Sequence, residues 1–254
     1  MAGNNRRDFM KATLAAASVG PALGAVAKAP KQQGATMAGV SMPALDTVRM
    51  AFIGVGARGP GHLTALAAME GVKITAICDN HASAAERWAK WCKDGGHGEP
   101  AVYTKGDYAY REMLKRDDID AVFIATPWRL HAEMAVDAME AGKHAFIEVP
   151  AVVTLAECWQ IVDVSEKTRR YCMMLENCCY GRNELMVLNM CRLGVFGELT
   201  HGECAYIHDL RGQMKSLERG TGSWRTGHHE TRNGNLYPTH GLGPVSQYMN
   251  INRG

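Results

Sequence analysis

The sequence predicts an α/β fold: a doubly wound parallel sheet, then the start of an α+β domain with an open sheet. Three observations predict it. Apolar runs of strand length alternate with helical patterns from Val48 to about Glu176. Several of these runs are continuously apolar, as strands covered on both faces require. The first run leads into a glycine turn, Gly54-x-Gly56-x-x-Gly59, and Asp79 closes the second run 25 residues after Gly54. Strand-helix alternation at this spacing gives parallel βαβ units.

Taken in order, the strand candidates are Arg49 to Val55, Val72 to Cys78, Ala101 to Thr104, Ala121 to Ala125, His144 to Ile147 and Tyr171 to Leu175. Helical patterns fill the gaps: His62 to Met69, Ala82 to Trp91, Asp107 to Lys115, Leu130 to Ala141 and Leu155 to Thr168. After Cys179 the texture changes. Glu184 to Arg192 reads as a helix ending at Gly194, and Leu199 to Ile207 reads as a strand. From Asp209 the chain is rich in Gly, Arg, His and Thr, which suggests a long functional loop. The expected organisation is a leader over 1–27, a linker over 28–46, a dinucleotide-binding domain over 47–177, and over 178–254 a substrate domain that begins and does not finish.

The leader rests on Asn5-Arg6-Arg7-Asp8-Phe9-Met10-Lys11, an alanine-rich apolar stretch to Ala27, and small residues at Ala25-Val26-Ala27. Together they read as a twin-arginine export signal, so a periplasmic or otherwise exported protein and contact with the twin-arginine machinery are expected. The apolar run is too short and mild for a stable membrane span. Among the 254 residues, 28 basic and 26 acidic side chains give a net charge of +2, which argues against a nucleic-acid surface. Eight cysteines include no C-x-x-C pair, so no structural zinc site is expected. Self-association is left open.

The glycine turn sits between a strand and a helix, the context that a Rossmann dinucleotide site needs. Gly54 permits the turn, Gly56 admits the pyrophosphate, and Gly59 lets helix and strand pack closely. Arg58 is placed to touch the pyrophosphate or lie over adenine. The Asp79 carboxylate suits ribose hydroxyls and would repel a ribose phosphate, which favours NAD over NADP; capping of the next helix is the alternative. Thr126-Pro127-Trp128-Arg129-Leu130-His131 follows the fourth strand, at the sheet's ligand-binding edge. There Trp128 can stack on a flat ring and His131 can donate a hydrogen bond. His228-His229-Glu230 lacks the helical H-E-x-x-H arrangement, so no metal is expected.

These motifs resemble the Gfo/Idh/MocA oxidoreductases and, more specifically, glycoside hydrolase family 109, the NAD-dependent α-N-acetylgalactosaminidases. The resemblance is carried by the twin-arginine start, Gly54 to Gly59, Trp128 to His131, Glu148-Val149-Pro150, Glu176-Asn177 and Asn235-Leu-Tyr-Pro-Thr-His-Gly-Leu-Gly-Pro244. It implies NAD contacts at Arg58, Gly59, Asp79, Trp128, Arg129, Leu130, His131, Glu148, Val149 and Asn177. It implies sugar contacts at Tyr206, Arg225, Tyr237, Pro238, Thr239 and His240, with His240 and Tyr237 carrying the chemistry. In the sugar dehydrogenases of the wider family a catalytic lysine stands where this chain has Val149. The resemblance therefore implies a glycosidase that uses NAD transiently on terminal α-linked N-acetylgalactosamine. A sugar or inositol dehydrogenase and a non-catalytic NAD-binding protein are the alternatives.

Overall fold

A computed structural model describes residues 36–217 and 220–251. The expected export signal lies outside those residues. Six strands form one parallel sheet: β1 (Val48–Ile53), β2 (Val72–Cys78), β3 (Ala101–Tyr103), β4 (Ala121–Ile124), β5 (His144–Ile147) and β6 (Cys172–Met174), in the order β3-β2-β1-β4-β5-β6. Helices α1 (Gly59–Ala67), α2 (Ala82–Asp94), α3 (Tyr110–Leu114), α4 (His131–Glu140) and α5 (Leu155–Thr168) connect them. The doubly wound sheet is thus the one the alternation predicts.

Period-2 geometry explains why the strands are apolar throughout. Phe52 and Met50 enter one core with Ile74, Ile77 and Phe123, while Ala51 and Ile53 enter the other with Ala76, Val122, Ile124 and Ile147. Alternate residues of one strand therefore serve both faces. The register of β1 on β2 skips Thr75: Met50 faces Ile74 and Ala51 faces Ala76. This bulge puts Thr75 Oγ1 on the Met50 carbonyl at 3.3 Å, so the buried hydroxyl is satisfied. At the start of α5, Thr154 Oγ1 accepts from Glu157 N, and the Glu157 carboxylate accepts from Thr154 N. That reciprocal cap fixes where the helix begins.

The strand order reverses direction between β1 and β4, which creates a crevice at the carboxyl edge. Gly54 has φ +90°, and a Cβ there would lie 2.5 Å from the Ala125 carbonyl oxygen. A Cβ on Gly59 would collide with the Gly54 carbonyl. Any larger residue at either position would push the turn away from the sheet.

Further along the chain lie α6 (Arg182–Arg192), α7 (Arg211–Met214), α8 (Thr221–Thr231) and α9 (Thr239–Tyr248). The described residues divide into two compact units. Residues 36–175 and 209–233 make the sheet unit; residues 176–208 and 234–251 make the other. By packing, residues 209–233 group with the sheet. The expected long loop after Asp209 is corrected: it contains α7 and α8. Trp224, Arg225 and His228 lie at helical spacing on α8, and their packing on Trp128 overrides the weak helix propensity of the glycines. Residues 199–207 pair with no strand, contrary to expectation. The described residues offer no neighbouring strand to complete the ladder there. Among them, no helix is long and apolar enough to cross a membrane.

Candidate functional site

In the sheet unit the predicted dinucleotide residues gather at the carboxyl edge. Gly56 and Arg58 are exposed, and a Cβ on Gly56 would meet nothing within 4 Å, so ligand backbone has room to approach. The N-terminus of α1 has no side-chain cap, leaving its N–H groups to an anion. Asp79 is 8% exposed. Its Oδ2 accepts from Val55 N at 2.9 Å and its Oδ1 from His81 N at 2.8 Å. It ties the glycine turn to the end of β2 and does not occupy the N-cap of α2, which is His81. Each oxygen keeps a lone-pair direction for a ribose hydroxyl. Replacing Asp79 with alanine is expected to narrow a preference for NAD over NADP, as read by parallel fluorescence titrations. Equal affinities in the unaltered protein would remove Asp79 from the ribose role.

Glu148, at the end of β5, is 6% exposed. Its Oε1 lies 2.6 Å from His62 Nε2 and 3.6 Å from Arg58 Nε, while Oε2 accepts from Val149 N. Burial alone would raise this carboxyl, but His62, the Val149 amide and Arg58 hold it below its usual 4.5. His62 had no sequence signal beyond lying on α1; it joins the glycine-turn helix to β5. The Val149–Pro150 peptide bond is cis, and Val149 is 4% exposed.

Trp128 opens a short 3-10 turn, Trp128–Leu130, and His131 follows it as the first residue of α4. Arg129 is exposed and Leu130 half-buried. Trp128 is not an open stacking face: it is 3% exposed, with the Arg225 guanidinium 4.7 Å over the ring and Trp224 and His228 against it at 5.0 and 5.1 Å. Arg225, expected as a sugar contact, therefore packs on a residue expected at the cofactor. His228 sits below the ordinary histidine range because of burial and the nearby Arg232, His229, Arg129 and Arg225 charges.

His131 is buried, with Nδ1 2.7 Å from the Pro150 carbonyl and Nε2 2.7 Å from the Thr126 carbonyl. It pins the turn after β4 to the corner after β5. Burial lowers its affinity for protons against the pull of the two carbonyls, and the neutral ring donates to only one of them. An unfolded chain therefore takes up more protons than the folded one below about pH 6.5, and stability falls as pH falls. Melting temperature is expected to drop from pH 7.5 to 5.5, with a shallower slope in His131→Gln. Glu148 acts lower: its contribution is present above about 4.5 and is lost as the pH falls further.

In the second unit, α9 begins at Thr239 with Pro238 at its N-cap, so His240 stands in the first turn. A Cβ on Gly243 would lie 2.7 Å from Cys179 Sγ, so glycine lets α9 approach the 3-10 turn Asn177–Cys179 closely. That approach brings together residues 64 apart: His240 Nδ1 lies 2.6 Å from Oε1 of Glu176, a carboxyl only 3% exposed. Because a carboxylate only accepts, Nδ1 carries the proton and Nε2 is free to act as a base. Tyr237 stands edge-on to His240 at 4.7 Å, and Tyr206 lies 4.8 Å from Tyr237 and 5.5 Å from His240. His208 stacks on Tyr206 at 4.4 Å. Tyr206, Tyr237, Pro238, Thr239 and His240 thus share one unit, as does exposed Asn177. Glu176 and His208 carried no assigned role in the sequence; the Glu176-Asn177 dipeptide was the available signal for the first.

A glycine turn against an α1 N-terminus, with an acidic side chain ending β2, defines an NAD-binding Rossmann protein. The chain belongs to the Gfo/Idh/MocA oxidoreductase family: residues 48–176 match the model described as "Oxidoreductase family, NAD-binding Rossmann fold", and residues 180–254 match "Glycosyl hydrolase 109, C-terminal domain". A glycosyl hydrolase family 109 protein of Shewanella baltica (strain OS185) is 55% identical over 257 residues, covering 98% of this chain and 56% of the relative. Glycosyl hydrolase family 109 protein 2 of Shewanella sp. (strain ANA-3) is 54% identical, covering 100% of this chain and 57% of the relative. The chain thus spans about half the length of the curated relatives it matches. Among solved structures, myo-inositol 2-dehydrogenase from Lactobacillus plantarum is 26% identical with a TM-score of 0.58, covering 69% of this chain and 51% of the other.

Proposed function

We propose that the protein is an NAD-dependent glycoside hydrolase that releases terminal α-linked N-acetylgalactosamine, and that it is exported by the twin-arginine route. The observation that carries the reading is the Glu176–His240 pair beside Tyr206 and Tyr237, in a chain with buried Val149 where dehydrogenase chemistry would use a lysine. Gly54, Gly56, Arg58, Gly59, Asp79, the Trp128–His131 segment, Glu148, Val149 and Asn177 would hold the dinucleotide. Bound NAD supplies a temporary hydride acceptor, so that C3 of the sugar spends part of the cycle as a ketone.

The rest is proton chemistry by side chains. A C3 ketone acidifies the C2 proton, and His240 Nε2 is the group to take it, with Glu176 supporting the imidazolium. Tyr237 and Tyr206 offer hydroxyls to sugar oxygens as charge develops. The C1 substituent leaves by elimination, water adds at C1, and His240 returns the proton to C2. This route needs no carboxylate pair flanking the glycosidic bond.

The test is cleavage of an aryl α-N-acetylgalactosaminide in D2O. Deuterium at C2 of the released sugar, with the cofactor's redox state constant through turnover, is expected. Accumulating NADH with free sugar would replace this reading with a sugar or inositol dehydrogenase. Nucleotide binding without turnover of any aryl α- or β-glycoside would leave a binding protein.

A further inference from the structure

We propose that Glu176, Cys178 and His240 form a binding site for a borderline-soft divalent cation of the zinc class, and that its occupancy shuts off the acid/base work of His240. The second half rests on the reading of His240 above; the first does not. One ligand atom from each residue lies within 4.8 Å of the other two. Tetrahedral zinc ligands at bonds of ~2.0–2.3 Å sit roughly 3–4 Å apart, so small side-chain rotations close the set. Carboxylate, thiolate and imidazole together are a donor set that zinc accepts and that magnesium or calcium does not favour.

A second observation points to a ligand. Glu176 is 3% exposed, and its Oε2 is buried with no hydrogen-bond partner among the described residues, while Oε1 already serves His240 Nδ1 and Cys178 N. A buried carboxylate oxygen without a partner is costly, and a cation relieves the cost. The Cys178 thiol is half-buried and its sulfur lies within 4.8 Å of a Glu176 carboxylate oxygen and a His240 ring nitrogen. A free thiol there is a poor nucleophile, but a bound metal displaces its proton outright. Asn177 Nδ2 stands 3.7 Å from Cys178 Sγ, positioned to steady that ligand.

Entry of the cation displaces the proton between His240 Nδ1 and Glu176 Oε1, which ends on Nε2 as the ring changes tautomer, and the thiol proton goes to solvent; Nε2 is then no longer a base. No oxidation state changes. Three protein ligands leave a fourth position for water. With Nδ1 on the metal and the Glu176 charge spent on it, His240 loses the carboxylate that supports it as a base.

The experiment titrates chelator-treated protein with cobalt(II). One equivalent should give a near-ultraviolet thiolate-to-cobalt band that zinc abolishes by displacement. Cys178→Ser should remove the band and weaken zinc binding by at least about tenfold, as read with a competing dye. His240→Gln should weaken zinc binding similarly while the thiolate band persists at higher cobalt. Zinc should inhibit glycoside cleavage by the unaltered protein, and Cys178→Ser should keep basal turnover within about twofold yet need at least about tenfold more zinc for inhibition. No thiolate band, or a band and zinc affinity unchanged in both variants, overturns the site. Variant-sensitive zinc binding in a protein that cleaves no glycoside would uphold the site and overturn the proposed function alone.

Discussion

His240→Ala is expected to slow glycoside cleavage by roughly a hundredfold or more, the loss typical of removing a positioned acid/base group. His240 is the half-buried imidazole whose Nδ1 is held by Glu176 and whose ring stands against Tyr237 and Tyr206. His208 stacks on Tyr206 as well, but among the described residues it has no carboxylate partner. NAD affinity should hold, because the glycine turn and Asp79 that would seat the dinucleotide make no bond to His240, whose side chain pairs with Glu176. The check is kcat on an aryl α-N-acetylgalactosaminide beside a dinucleotide titration of the same preparation. Loss of NAD binding in parallel with kcat would mean that the substitution acts on the cofactor site. Unchanged kcat would move the proton chemistry elsewhere.

The sheet was legible in the sequence because two buried faces demand near-continuous apolar strands, and that demand leaves a local signature in runs such as Met50-Ala51-Phe52-Ile53. The glycine turn was legible for a similar reason: Gly54 and Gly59 answer to backbone neighbours that any such turn brings close. Helix α8 was hidden because its signal is tertiary. Thr221 to Thr231 reads as breakers and charges until Trp224, Arg225 and His228 are seen packed on Trp128, about a hundred residues away. The apolar, aromatic reach of Trp128 suggested an open platform; its burial under α8 could not be read from its own neighbours. Residues 199–207 show the opposite failure. Their composition suits a strand, but a strand exists only with a partner, and Ile207 is instead 87% exposed. The residues expected at the sugar rest on a motif and not on a local structural signature. Glu176, which pairs with His240, had no assigned role there: 64 residues separate the two, and no periodicity connects them.

Glu176→Gln is expected to cost about a hundredfold or more in kcat, with KM changed far less, because the substitution keeps the shape and inverts the hydrogen-bond logic. The native carboxylate only accepts, which forces the His240 proton onto Nδ1 and leaves Nε2 as the working base. A glutamine amide can turn its NH2 toward Nδ1 and strand the ring in the tautomer with Nε2 protonated. It also withdraws the negative charge that stabilises the imidazolium formed when C2 loses its proton. Glu176 is thus a positioning residue acting through His240, and three readouts separate that role from a purely structural one. Glu176→Asp should recover part of kcat, since a shorter carboxylate still fixes the tautomer. The far-downfield proton resonance of a carboxylate-bonded imidazole should be present in the unaltered protein and missing in Glu176→Gln. The melting temperature of Glu176→Gln should stay near or above the native value, because removing a charge buried at 3% exposure relieves desolvation. A fall in kcat that tracks a fall in melting temperature, with the imidazole resonance intact, would reduce Glu176 to a packing residue and leave His240 without its carboxylate.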